Sequence, residues 1–374
     1  YYMTRTLLSL VLKALQKITC IGLLLWPLPA FSLVVDGLYD AAIQVEDQSP
    51  EQMLRAKKMG LAQVLIKVTG QTQSLTHPKV RAALRNPESY LQRFSFGTEL
   101  LKNGQPQAVI ELAFDSLQVD QLIRESGHSI WGKDRAAVLV WLVEDTQGIR
   151  QIVNDNRHPM VAQIMSQAHL RGMPLLWPLL DLEDQLSINA GDLWGVFRDT
   201  ITRASSRYQA DAVLVGLMFQ DSQKLWRVDW NFWLDDVEQK WSSQGTDIAV
   251  LVEPLEDRLA ASLVEKFALD TGAESLNDEA RKSAILRIDQ VTQVGDYVEI
   301  QAMLQTIAGI QKVQLHSAKG TTLEFRIFAQ SNLAQVKSVI DLKRRLQAVE
   351  GTDIVALDQS LDLGNNLVWH YQWN

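Results

Sequence analysis

Cysteine is nearly missing from this 374-residue chain, whose one thiol is Cys20. Everything after that position is therefore without a disulfide, a thiolate-bound metal or a cysteine nucleophile. Histidine is scarce as well. The six (His77, His128, His158, His169, His316, His370) are scattered, and the closest pair is eleven residues apart, so the two-histidine zinc helix is excluded. No serine is followed three residues later by lysine, and no Gly-x-Ser-x-Gly elbow exists. No two glycines lie two positions apart and no Gly-Lys-Ser/Thr triplet occurs, which removes the dinucleotide fingerprint and the phosphate loops. No cofactor is expected. Low-complexity tracts are also missing.

The composition that is present is ordinary for globular protein, 47% hydrophobic and 21% charged, with length for two or three domains. Formal charge is −8, and it becomes −11 once the three cations Arg5, Lys13 and Lys17 of the first 32 residues are set aside. Such an acidic body repels nucleic acid and anionic lipid head groups. The first 32 residues resemble an export leader: a basic start through Lys17, a charge-free run from Ile18 to Pro29, then the small-x-small ending Ala30-Phe31-Ser32. Cleavage is expected between Ser32 and Leu33, giving a periplasmic protein with no stable membrane insertion. The alternative is an uncleaved inner-membrane anchor through the charge-free stretch from Ile18 to Val35, against which Pro27 and Pro29 argue.

Hydropathy and turn signals divide the rest into an N-terminal unit (33–134), a middle unit (135–270), a linker (271–283, marked by the polar stretch Asp270 to Lys282) and a C-terminal unit (284–374). The first reads β-α-β-β-α. Its strand Val34 to Val45 leads to a helix with Ser49 as N-cap, Pro50 at the first position and Gly70 as stop. Its hairpin, Tyr90 to Leu101 and Gln107 to Asp115, turns at Asn103-Gly104. Lys133-Asp134-Arg135 marks the boundary. The middle unit reads strand Ala136 to Val143, helix Pro159 to Leu170, strand Met173 to Leu180, helix Asn189 to Gln209 and the apolar strand Ala210 to Gly216. It is a βαβαβ-type mixed sheet with a parallel portion. Period-two Trp226, Val228, Trp230 and Phe232 follow on one face, with Trp233 assigned to an edge; a helix from about Pro254 to Phe267 closes the unit. The last unit reads β-α-β-β-α-β, the ferredoxin-like order, with its final strand Leu367 to Trp373 expected at a sheet edge beside the first. The fold class is thus multidomain, α+β and α/β.

Several stretches carry a resemblance: Val64-Leu65-Ile66-Lys67-Val68-Thr69-Gly70, Trp177 to Asp184, Leu193-Trp194-Gly195 and Tyr208 to Gly216. They resemble the exported Gram-negative family catalogued as domain-of-unknown-function family 2066, over most of residues 33 to 270. The resemblance implies an envelope protein and transfers no catalytic residue. The order of the middle unit is similar to the amino-terminal region of TolB and to lipoproteins that secrete curli or activate peptidoglycan synthases, which work by binding partners.

Two constellations stand out as candidate sites. Asp181, Glu183 and Asp184 follow the second strand of the middle sheet, and Asp192 and Trp194 open the next helix. Ligands of α/β sheets bind beyond the carboxyl ends of strands, and carboxylates at this density suit a hard cation. A solvated loop with Asp192 serving a helix terminus is the plainer alternative. Trp369, Tyr371 and Trp373 share one face of the last strand, either as a sheet face packed on helices or as an aromatic docking strip. Lys343-Arg344-Arg345 reads as a solvated helix face. The function expected is a non-enzymatic envelope protein that binds other envelope proteins or cell-wall components and no nucleic acid. The alternative is a metal-dependent hydrolase using the Asp181 to Asp184 loop.

Overall fold

The computed structural model describes residues 35–100, 106–269, 283–349, 354–356 and 366–374. The leader-like run through Ser32, the Asn103-Gly104 turn and the Asp270 to Lys282 linker lie outside the described residues. The architecture is multidomain α+β, built on three sheets in chain order.

The first sheet holds β1 (Asp40–Gln44), β2 (Leu91–Leu100) and β3 (Pro106–Phe114) in the antiparallel order β1-β3-β2. Helix α1 (Pro50–Thr69) covers it, entered where Ser49 Oγ accepts the Gln52 N–H and left at Gly70, whose φ of 70° only glycine adopts without strain. The α1 residues Leu61, Val64, Leu65 and Val68 meet Ile43, Ile110 and Leu112 of the strands, all buried. Two further helices, α2 (Pro78–Arg85) and α3 (Ser116–Glu125), complete this layer. The sequence pattern missed α2.

The middle sheet runs β5-β4-β7-β8-β9, with β4 (Val138–Thr146), β5 (Ile149–Val153), β7 (Ala212–Gln220), β8 (Trp226–Leu234) and β9 (Val237–Gly245). The two-residue β6 (Leu175–Leu176) pairs β4, and only β6-β4 and β4-β7 are parallel. The expected second strand shrinks to these two residues, and β5, an antiparallel hairpin partner of β4, was not expected. One face carries α4 (Pro159–Arg171) and α8 (Ile248–Phe267) over Trp230, Phe232 and Leu214; α8 begins before Pro254 rather than at it. On the other face the expected single helix from Asn189 to Gln209 is two pieces, α6 (Ala190–Trp194) and α7 (Arg198–Ser205), preceded by an unexpected short helix α5 (Leu182–Ser187). The break follows from Gly195 and Val196, the latter at φ 53°, a left-handed conformation that no helix continues. Trp233 does not cover an edge: it keeps the alternation of Arg227, Asp229 and Asn231 and is buried under this second face with Trp141. In β7 the ring of Trp230 lies over Gly216, where a Cβ would stand 2.4 Å from it. Glycine is required there by that close approach.

The third sheet has β10 (Ser283–Asp289), β11 (Ile310–Lys319), β12 (Thr322–Ala329), β13 (Leu346–Ala348), β14 (Ile354–Ala356) and β15 (Asn366–Trp373), in the order β11-β12-β10-β15-β13. Helices α9 (Val294–Gln305) and α10 (Leu333–Asp341) cross it. The β-α-β-β-α order is as the sequence reads, but the closing strand departs from the ferredoxin arrangement. β15 runs parallel to β10 and is flanked on its outer side by β13 and β14, so it is not an edge. The intervening β13 and β14 were too short to show a period.

Residues 33–374 form one compact unit, and two adjacent residues explain how. Arg135 is buried and donates to five carbonyls: Gly132 (2.6 Å), Trp131 (2.8 Å), Lys67 (2.7 Å), Arg171 (3.0 Å) and Gly172 (3.3 Å). Its neighbour Asp134 pairs with Lys343 at 2.6 Å, both buried. Arg344 bonds Asp211 at 3.0 Å, and Arg345 lies over the Trp373 ring and pairs with Glu299. Of the three basic residues expected on a solvated helix face, Lys343 and Arg344 thus tie the third sheet to the boundary stretch and the middle unit, while Arg345 stays exposed to solvent. Each finds an acid that the fold, not the sequence spacing, brings beside it.

Glu256 of α8 is fully buried, and neither carboxyl oxygen has a hydrogen-bond partner in the structure. Burial pushes its pKa from 4.5 to about 8, with nearby Arg171 opposing the rise. Because the folded state holds a proton that the unfolded chain releases, this group's stabilising contribution is full below about pH 4.5 and is lost as pH rises to about 8. Glu256→Gln should therefore flatten the pH profile over that window and stabilise the protein at pH 8 by a few kcal/mol, one pKa unit being worth about 1.4 kcal/mol. Urea denaturation of parent and variant at pH 5 and pH 8 measures it; equal pH dependence in both would contradict the assignment.

Candidate functional site

The acidic loop begins just past β6, where Pro178 and Leu180 turn the chain away from the sheet; Leu180 takes φ 52°. Asp181 is the N-cap of α5, its Oδ1 accepting the Asp184 N–H at 3.1 Å. Asp184 points inward and is 1% exposed. Its Oδ2 accepts from the Leu180 N–H at 2.8 Å and from the Tyr208 hydroxyl, which in turn accepts the Leu179 N–H at 2.9 Å. Arg207, at the end of the turn that follows α7, completes the cluster. Its Nη1 donates to Asp181 at 2.7 Å and Asp184 at 3.0 Å, its Nη2 donates to Asp181 at 2.9 Å, and Glu183 stands 3.4 Å away.

The electrostatics follow from this geometry. The Arg207 hydrogen bonds, then the Asp184 N–H, hold the Asp181 carboxyl well below the usual carboxylate range, and the same pair raises Arg207. Burial, then the bond to Asp184, pushes the Tyr208 phenol up to about 12, so it stays a donor at any working pH. The three carboxylates sequence reasoning singled out are together, but an arginine occupies their centre. A divalent ion would have to displace a bidentate guanidinium already matched to the acids. Among the described residues no group of three His, Cys, Asp or Glu could hold a metal ion.

Asp192 and Trp194 lie elsewhere. Asp192 forms a capping box with Asn189, accepting its backbone N–H at 3.1 Å, and so serves the start of α6. Trp194 is half-buried, with Arg150 of β5 over its ring at 4.3 Å and Phe219 edge-on at 5.9 Å. The aromatic strip Trp369, Tyr371 and Trp373 is 1%, 0% and 5% exposed and faces the third core. It is a packed sheet face and presents no docking strip, because α9 and α10 cover the side on which these alternate residues fall. The Tyr371 hydroxyl meets Asp341 of α10 at 2.5 Å.

Arg207 and Tyr208 were missed as partners of the loop. They sit some 24 residues downstream, and the one available signal was a lone arginine directly before the central strand, opposite an excess of acid. What the lock leaves outside is equally informative. Leu179, Leu182, Leu186 and Phe197 are 67%, 71%, 80% and 57% exposed, and Leu182 and Leu186 share one face of α5.

Fold and site together define a multidomain α+β protein whose acidic loop is tied to an internal arginine beside exposed apolar side chains. Residues 33–132 match a family described as "Domain of unknown function (DUF8605)", which covers the first sheet and its helices. No curated protein matches the chain. Among solved structures, the LpoB C-terminal domain from Salmonella enterica is similar at 18% identity and TM-score 0.22, over 29% of this chain and 80% of that one. Lipoprotein GNA1162 from Neisseria meningitidis is similar at 16% identity and TM-score 0.22, over 34% of this chain and 99% of that one. Likenesses of that size carry no argument here.

Arg207→Ala leaves Asp184 buried without its cation, and an uncompensated buried carboxylate destabilises the fold. A loss of stability in chemical denaturation is expected. Stability within 0.5 kcal/mol of the parent, about the spread of ordinary surface substitutions, would show that the cluster is not a lock.

Proposed function

We propose that the chain is a non-enzymatic binding protein of the Gram-negative envelope, whose partners are envelope proteins or cell-wall machinery. The observation that carries this is the segment from Leu179 to Phe197. Asp181 and Asp184 are bound internally by Arg207 and Tyr208 and Asp192 by Asn189, while four large apolar side chains stand in solvent. A catalytic loop requires carboxylates free to meet substrate or metal; a docking surface requires apolar groups held in place on a rigid support. The second description fits. The leader-like sequence through Ser32 supports export, and the acidic body disfavours nucleic acid. Among the described residues no helix is long and apolar enough to cross a membrane. Membership of the wider family 2066 belongs to the same proposal, since the stretches that resemble it include this segment.

A photo-crosslinking amino acid placed at Leu182 or Leu186 in living cells should give a discrete adduct. The same group at Leu117, 79% exposed on α3, should give none. The double variant Leu182→Glu, Leu186→Glu should fold as the parent does and lose the adduct formed from a crosslinker at Leu179. Adducts of equal yield at all three positions, or none at any, would remove the docking surface.

A further inference from the structure

Among the described residues β1 ends its sheet, and no strand pairs its outer side. Val45 donates to Ala108 and Phe114 donates to Tyr39, which turns the odd-numbered residues of β1 toward β3. The main-chain groups of Asp40, Ala42 and Gln44 therefore face outward. Those of Asp40 are occupied, its N–H by the Gly37 carbonyl and its carbonyl by Lys67 Nζ at 2.8 Å. Past Asp40, Ala42 and Gln44 offer two donors and two acceptors on the outward side. They open into a cavity of about 580 Å³ between β1 and α1, walled by Gln52, Arg55, Ala56, Met59 and Gln63.

We infer that this edge receives an extended peptide segment of another protein as an added strand, in which an acidic residue and an apolar residue stand two positions apart. The backbone of the guest is specified by the open donors and acceptors of Ala42 and Gln44, since only an extended chain answers that row. Its side chains are specified by the helix wall. Arg55 is exposed and has no ion-pair partner among the described residues, and Met59, one turn on, is 45% exposed. Helix positions four apart are separated by about 6 Å and strand positions two apart by about 6.6 Å, so alternate guest residues fall opposite Arg55 and Met59. A two-fold antiparallel pairing of β1 with a second copy centred on Ala42 needs the outward groups of Asp40, which Gly37 and Lys67 already hold; the register centred on Ile43 uses Ala42 and Gln44 alone, and sedimentation separates that outcome from a guest peptide. The site lies on the first sheet, apart from the Leu179 to Phe197 segment, and stands or falls without it.

The test is selection of a phage-displayed library of random twelve-residue peptides on the full chain, followed by titration of the enriched peptide. Enrichment of an acidic-x-apolar pattern is expected, with at least tenfold slower hydrogen exchange at the Ala42 and Gln44 amides when the peptide is bound. Ala42→Pro removes an outward donor and should weaken binding at least tenfold. Should that variant misfold, Arg55→Glu in place of it should shift the selected pattern from acidic to basic. Failure to enrich any peptide, unchanged exchange at the two amides, or a preference unaltered by Arg55→Glu would overturn the inference. So would sedimentation showing a dimer that Ala42→Pro dissociates, which would give the edge to a second copy.

Discussion

The guanidinium of Arg135 sits where two helices end, and much of the structure depends on its being there. Lys67 is in the last turn of α1, and Arg171 and Gly172 end α4; their carbonyls carry the negative ends of the two helix dipoles. All five N–H groups of Arg135 are matched, four of the five contacts at 3.0 Å or less, with the ring of Trp131 3.7 Å beneath. No carboxylate among the described residues bonds it. Burial pushes its pKa down to about 9, which still leaves it charged at neutral pH. Lysine has no planar fork and would leave several carbonyls unmatched. The same short stretch holds the third sheet, because Asp134 reaches Lys343.

This joint is where sequence reasoning was least able to see. A run of three charged residues between two apolar segments has the composition of a surface boundary, and Lys133-Asp134-Arg135 was so assigned. Nothing local distinguishes a charge that will be matched by distant carbonyls from one that will be hydrated. The same holds for Lys343 and Arg344. By contrast α1 was legible from Ser49 through Gly70, since cap, proline, periodicity and stop are local signals that the tertiary structure did not overrule. The strand before and through Gly216 was legible for a similar reason: a fully covered strand shows as an unbroken apolar run. β6, β13 and β14 are pieces of two or three residues whose pairing comes from strands elsewhere in the chain, and no period of two has room to show in them.

The candidate site divides along the same line. The sequence located the acids and their position beyond a strand of the middle sheet, because carboxylate type and order are written in it. Whether they faced solvent, a metal or a cation of the same chain depended on Arg207, which the broken helix brings back over the loop. Once that pairing is known, the emphasis moves from the acids to the leucines they help to hold outward. The first sheet offers a surface of a different chemistry, an open row of backbone groups beside a helix. Apolar side chains in one place and main-chain hydrogen bonds in another suit a protein that holds partners, and both surfaces rest on elements that Arg135 ties together.

Hydrogen exchange followed by mass spectrometry on the parent and on Arg135→Met, the closest apolar match in length, tests that dependence most directly. The account predicts that the variant exchanges faster throughout α1 and β1–β3 and also at the α4 terminus around Arg171, while the β7–β8 core keeps its protection. Unchanged protection of α1 in the variant would contradict the account, because the first sheet would then be held in place without the guanidinium.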